Sequence, residues 1–316
     1  MILPGFILAA AAAVLWGSAG TAQTFITSQT LNPLWVGALR LIFACLFFYP
    51  LLFKSRKERS IADNTSTKTS YFLKVLVAGT CMAMFNILFF TGVKIAGVAL
   101  GSCIIIASAP VWAGTLEALF KRKMPDALWL IGIAIAIGGG IWMAVSQAGQ
   151  IELNALGLGI CLIAGLFYAG YSLLAKELVQ ITSPLRASTH AFTVAGLIAL
   201  AVALTLSDVP DFNPNDLLIV LYLGVIVTGF AYLLYATALK TTRVSTCVAL
   251  GLLEPVTAFI LAIVVVGENV NPWATVGLAA ILFGLALVLK SDRKTNPAES
   301  RNEPNQPSPI AQKISR

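Results

Sequence analysis

Few residues in this chain of 316 can do chemistry, and Glu254 is the most informative of them. It lies ten residues into a predicted apolar span over 244–266, so at 1.5 Å per residue it sits about 15 Å deep. A carboxylate there is costly unless it is paired, protonated or wet. Its functional readings are proton transfer or contact with a bound amine. The structural reading is a protonated acid bonded to a neighbouring helix beside a proline kink. Pro255 follows directly and frees a backbone carbonyl. Arg40, seven residues into a span over 33–53, lies about 10 Å below the surface. It either snorkels outward or serves as a gate ion pair or a carboxylate anchor.

Asn86 is expensive in lipid and should face a helix partner or a cavity. Trp16, Ser18, Ser108, Tyr168, Tyr171, Ser172, Tyr232 and Tyr235 share its depth. Trp16, Ser108, Tyr168 and Tyr232 are the candidates from this group for lining a substrate cavity, with ordinary helix packing as the alternative. His190 lies near a span end, as an interfacial residue or a proton relay, and Glu117 and Glu177 at helix ends are expected to be solvated. Cys45, Cys81, Cys103, Cys161 and Cys247 all fall inside apolar blocks without a CxxC pair and read as small buried hydrophobes. Walker A, HExxH and GxSxG motifs are absent, and a single His cannot build a metal site. No catalytic residue, metal or cofactor is expected, and ATP-driven transport within this chain is excluded.

The elements that must position these residues follow from composition. Charged residues are 11% of the chain, against about 25% in a soluble domain. Apolar residues reach 58%, and mean hydropathy is +0.86. A soluble fold is excluded for want of polar surface. The apolar residues gather in blocks of about 20, the length of a membrane-crossing helix, and the alternating ten-residue segments of an outer-membrane barrel are missing. The fold class is an all-α membrane protein. Ten transmembrane helices are predicted, at 3–25, 33–53, 72–92, 97–119, 127–145, 155–176, 186–206, 215–237, 244–266 and 272–290. The first lacks the basic n-region of a signal peptide and is kept as a span. From 291 to 316 the composition turns polar and proline-rich, as in a disordered tail.

The net charge of +7 does not point to nucleic acid, because the basic residues sit in loops and the tail. With both termini cytoplasmic, 19 of the 21 Lys and Arg residues fall inside, only Lys94 falls outside, and Arg40 is within a span. Glu152, Asp208, Asp211, Asp216 and Glu268 fall in outer loops.

A shift of 145 residues lays Phe85 on Phe230, Pro110 on Pro255, Gly132 on Gly277 and Gly139 on Gly284. Ala109 then stands where the second half has Glu254, so the backbone repeats while the charge does not. The two prolines read as paired hinges. Gly132, Gly140, Gly277 and Gly284, with Ala136, form a small-residue stripe suited to close helix packing. Halves of five spans, 1–146 and 147–290, must insert upside down relative to each other. That is the inverted repeat common in alternating-access carriers.

The ordered set Trp16-Gly17-Ser18, Pro33 with Arg40, Glu254-Pro255 and Gly267-Glu268, on ten spans in two halves, resembles the EamA-type drug/metabolite transporters. Arg122-Lys123 depart from it, standing where the first repeat often ends in a Gly-Glu-like pair. The resemblance covers roughly 3–290. It implies a secondary carrier in a bacterial inner membrane with a central cavity formed by spans 1, 3, 4, 6, 8 and 9. Members often export amino acids or related metabolites. The expectation is therefore such an exporter, working as a monomer or a homodimer on a small-molecule substrate among membrane lipid, with proton coupling through Glu254 as one mechanism. The alternatives are uptake of a cationic or nucleotide-like metabolite, and a membrane-embedded enzyme or scaffold.

Overall fold

The computed structural model describes residues 4–26, 32–55, 65–122, 124–147, 154–210, 213–267 and 271–295. Among the described residues, ten helices are long and apolar enough to cross a membrane. They are α1 (Gly5–Gln23), α2 (Pro33–Lys54), α3 (Lys68–Ala96), α4 (Leu100–Phe120) and α5 (Ala127–Ser146) in the first half. The second half has α6 (Ala155–Ile181), α7 (Pro184–Leu206), α8 (Pro214–Ala238), α9 (Val244–Val266) and α10 (Ala274–Asp292). No strand occurs among the described residues. Arg56, Lys57, Arg59, Lys123, Glu152, Asp211, Glu268 and the tail from 296 onward lie outside them.

Helix starts follow local chemistry. Asn32, Ser183 and Asn213 each cap a helix whose first residue is a proline, and each accepts a backbone N–H through its side chain. Proline has no N–H to leave unpaired there, and the capping oxygen satisfies another orphan donor. The ends run past the expected spans where polar partners exist. Helix α10 continues to Thr295, because Ser291 bonds Asp126 and Asp292 faces Arg243 at 3.9 Å. The polar composition thus begins inside the helix rather than after it.

Packing is reciprocal between the halves. Helix α3 lies on α6 and α7 as α8 lies on α1 and α2, and α4 meets α6 as α9 meets α1. The pairs α2–α7, α4–α9 and α5–α10 each join a helix to its own counterpart. In the α5–α10 seam, a Cβ on Gly132 would lie 2.8 Å from Gly284 O, and one on Gly139 would lie 2.6 Å from Gly277 O. Rising numbers on α5 meet falling numbers on α10, so the helices are antiparallel and their glycines exchange under the 145-residue shift. The expected stripe needs one correction: Gly139 makes the close approach, whereas a Cβ on Gly140 would meet open space. One residue turns the side chain by about 100° around the helix.

Two helices of the second half are irregular. Helix α8 widens to a π-helix over Leu223–Phe230, where Thr228 donates to Leu223 O at 2.8 Å. Helix α9 breaks between Val244–Leu250 and Leu253–Leu261. Its hydrogen bonds there step back three residues, from Gly251 to Val248 and from Glu254 to Gly251. Pro255 therefore sits in the first turn of a new segment, where a missing N–H costs little. Its repeat partner Pro110 lies within the single helix Val98–Lys121. The prolines repeat in sequence, but only the second adjoins a break.

Lys54, Lys74, Lys176, Arg186, Lys240, Arg243 and Lys290 all fall at one end of the bundle, the basic end. Polar contacts between helices close this end around the α8–α9 turn. Lys176 Nζ donates to Thr242 O at 3.0 Å and Gln180 Nε2 to Lys240 O at 3.1 Å. Glu117, expected to be solvated, is buried instead, because its carboxylate accepts the N–H groups of Val244 and Ser245 at 3.2 and 3.1 Å. Those are first-turn donors of α9 with no helical partner. Glu177 does reach solvent, and it pairs with Lys74 at 2.9 Å.

Candidate functional site

The candidate site lies where α1, α2, α3, α6, α8 and α9 converge at mid-depth. The Trp16-Gly17-Ser18 run shows how each residue contributes. The Trp16 ring packs against Tyr232 at 4.9 Å, Tyr235 at 5.4 Å and, edge-on, Tyr168 at 6.3 Å. A Cβ on Gly17 would come within 2.5 Å of Glu254 O and Thr257 Cβ, so only glycine lets α1 lie against the turn that carries Glu254. Ser18 shares a 2.7 Å hydrogen bond with Tyr222 of α8.

The aromatic cluster continues from Tyr168 to Phe85 at 5.1 Å and from Tyr232 to Phe192 at 4.9 Å. Tyr235 donates to Ser172 Oγ at 2.8 Å, and Ser172 donates on to Tyr168 O at 2.9 Å. This buried chain locks α6 to α8 under the site. Phe85 and Phe192 stand beside the sequence-predicted residues without having been singled out by depth, whereas Ser172 and Tyr235 were placed at this depth but not among the cavity candidates. Their signal was spacing: Tyr168 with Ser172 and Tyr232 with Tyr235 are four and three apart, on shared helix faces.

Arg40 and Glu254 both border this cluster. Among the described residues no ion pair joins them, yet the guanidinium lies within electrostatic reach of both Glu254 and Tyr232. Both side chains are half-buried. Glu254 occupies the first turn of Leu253–Leu261, where unpaired N–H groups favour a negative charge. Asn86 is buried, and its Oδ1 lies over Gly37, one turn before Arg40. The structure thus brings together Trp16, Arg40, Asn86, Tyr168, Tyr232 and Glu254.

Ser108 stands apart from that group. Its hydroxyl donates to Ile105 O at 3.1 Å and packs over Gly165 in the α4–α6 seam. His190 bonds Tyr71 at 2.8 Å near the basic end, away from Glu254. A groove of about 430 Å³ begins one turn beyond the aromatic cluster, away from the basic end, lined by Ser18, Thr21 and Phe25 of α1, Leu218 and Tyr222 of α8, and Leu261 of α9. No group of three His, Cys, Asp or Glu side chains able to hold a metal ion occurs among the described residues.

A family profile decides the relationship: that of the EamA-like transporter family matches residues 3–145 and 155–290. The chain belongs to the EamA-like transporter family. An uncharacterized transporter of Bacillus subtilis, YwfM, is 32% identical over 289 residues, covering 92% of this chain and 95% of that protein. An uncharacterized transporter of Archaeoglobus fulgidus is 23% identical over 85% of this chain and 91% of its own length. A crystal structure sharing 16% identity superposes with a TM-score of 0.77 over 92% of this chain and 98% of its own, which shows the shared fold. Family membership and the ten apolar helices make this chain a multi-pass membrane protein of a transporter family.

Proposed function

We propose that the protein is a secondary active transporter of a bacterial inner membrane that exports amino acids or related small metabolites by alternating access. The observation that carries the reading is the deep carboxylate of Glu254, set at the break in α9 and within electrostatic reach of Arg40 among aromatic rings. A site with one acid and one base near mid-membrane suits a small zwitterion, the ammonium toward Glu254 and the carboxylate toward Arg40. When no substrate amine is present, Glu254 is the group able to carry a proton across. Exchange of a proton for the amine at one carboxylate would couple the two fluxes.

Termini in the cytoplasm agree with the enrichment of Lys and Arg at the basic end. On that orientation the polar contacts around the α8–α9 turn close the cytoplasmic side, and the groove between α1, α8 and α9 opens outward. Reciprocal packing of the two halves supplies a second arrangement in which the closed and open ends exchange.

The test is flux in proteoliposomes with a pooled panel of labelled amino acids and amines, with and without an imposed pH gradient. Gradient-dependent flux of one compound, lost in a folded Glu254→Gln variant, is the expected result. Flux that survives the substitution would remove Glu254 from the coupling role.

A further inference from the structure

The polar groups of the site divide unevenly between donors and acceptors. Trp16 Nε1, Arg40 Nε, Asn86 Nδ2 and Tyr168 Oη are buried without a hydrogen-bond partner. Trp16, Asn86 and Tyr168 are 8%, 3% and 8% exposed, so little of any of them reaches the surface. An indole N–H, a guanidinium N–H and an amide NH2 can only donate, and a phenol donates readily. Neighbouring polar groups in the same core are satisfied, among them Tyr235, Ser172 and Thr228. The remaining unpartnered side chains, such as Trp129 on α5 and Ser188, Ser245 and Thr246 near the basic end, belong to other regions.

The four donors come from four helices, α1, α2, α3 and α6. Trp16 meets Tyr168 directly, and its neighbour Tyr232 lies within the field of Arg40. The Asn86 side chain lies against α2 over Gly37, one turn before Arg40. Among the described residues, Glu254 is the carboxylate whose charge reaches Arg40, Tyr168 and Tyr232. Buried donors without acceptors are costly, and a ligand that brings acceptors removes that cost.

We propose that Trp16, Arg40, Asn86 and Tyr168 form a carboxylate-binding subsite, so that the transported compound carries a carboxylate held by these donors. The assignment rests on the transporter reading above and narrows its substrate class. A carboxylate offers about four lone-pair positions, matching four donors. Its single charge balances Arg40. A phosphate dianion would leave excess negative charge beside Glu254. A cationic compound without acceptors would leave all four donors unpaired and meet Arg40 as a like charge.

The experiment is binding to the purified full-length protein, read as thermal protection and by calorimetry, with matched probes. Glycine, leucine, phenylalanine and glutamate are each offered as the free acid, as the α-amide and as the decarboxylated amine; 4-methylpentanoate and isopentyl phosphate complete the set. At least one free acid is expected to bind on the order of tenfold or more tighter than its amide, as loss of a charged acceptor implies. Arg40→Gln, Asn86→Asp and Tyr168→Phe, each checked for a monodisperse profile, are expected to weaken the acid by a larger factor than the amide. A merely structural role would weaken both alike. Amide or amine binding as tightly as the acid overturns the subsite, as does protection by isopentyl phosphate alone or by no free acid. Acid-selective binding without flux in proteoliposomes would keep the subsite and sink the carrier reading. Flux of amines without acid selectivity would do the reverse.

Discussion

Glu117 on α4 holds the start of α9: its carboxylate accepts the backbone N–H groups of Val244 at 3.2 Å and Ser245 at 3.1 Å. Removing it leaves two buried donors without partners. Glu117→Ala should destabilise the protein by about 2 kcal/mol, and Glu117→Gln by less, because the amide still offers one acceptor. In a chain retaining Cys247 alone among its cysteines, Glu117→Ala should also speed maleimide labelling of Cys247, which is buried just past the capped turn. Lys74→Ala, which breaks the half-exposed pair with Glu177, should change stability by no more than about 1 kcal/mol. Equal effects of the two substitutions would contradict this ranking.

The α5–α10 seam makes a sharper test, because neighbouring glycines on one helix should respond oppositely. Gly139→Ala forces a methyl group against Gly277 O and should cost about 1–3 kcal/mol. Gly138→Ala meets open space and should stabilise by roughly 0.5–1 kcal/mol, since alanine loses less backbone entropy in a helix. Melting temperatures in one detergent decide the matter.

The Tyr235–Ser172–Tyr168 chain gives an ordering. Ser172→Ala leaves the buried Tyr235 hydroxyl without its acceptor and should cost about 1–3 kcal/mol. Tyr235→Phe removes the donor, while Ser172 keeps its bond to Tyr168 O, so its cost should be nearer 1 kcal/mol. A double-mutant cycle by thermal unfolding would expose the coupling.

Gly224, in the π-helical part of α8, lies against the backbone of Arg40, and a Cβ there would sit 3.0 Å from Arg40 O. Gly224→Ala should displace α2 where it carries the guanidinium. The expected outcome in proteoliposomes is a rise in the half-saturating substrate concentration on the order of tenfold, since small misplacements of a positioning group are costly. An unchanged value would show that Arg40 adjusts freely.

Much of the fold was legible because the bilayer is a demanding solvent. Ten apolar blocks, the loop charges and the rarity of deep polar groups are local properties, and lipid rewards or penalises each without reference to the rest of the chain. Depth alone therefore pointed to Glu254, Arg40 and Asn86, and a fixed shift exposed the repeat.

Rotation and partnership were not legible. A helix with lipid on one side and core on the other is apolar all round, so periodicity does not mark its inner face. Hence Gly140 was placed in the seam that Gly139 fills, and Glu117 was expected in solvent although it caps a helix 127 residues away in sequence. The break in α9 beside Glu254 and the packing of Trp16 on Tyr168, Tyr232 and Tyr235 arise likewise from contacts between distant segments. By itself the sequence determined which residues lie within the membrane and what crossing it costs them. The tertiary structure alone decided which of them meet, because each such contact depends on how whole helices turn and pack against one another.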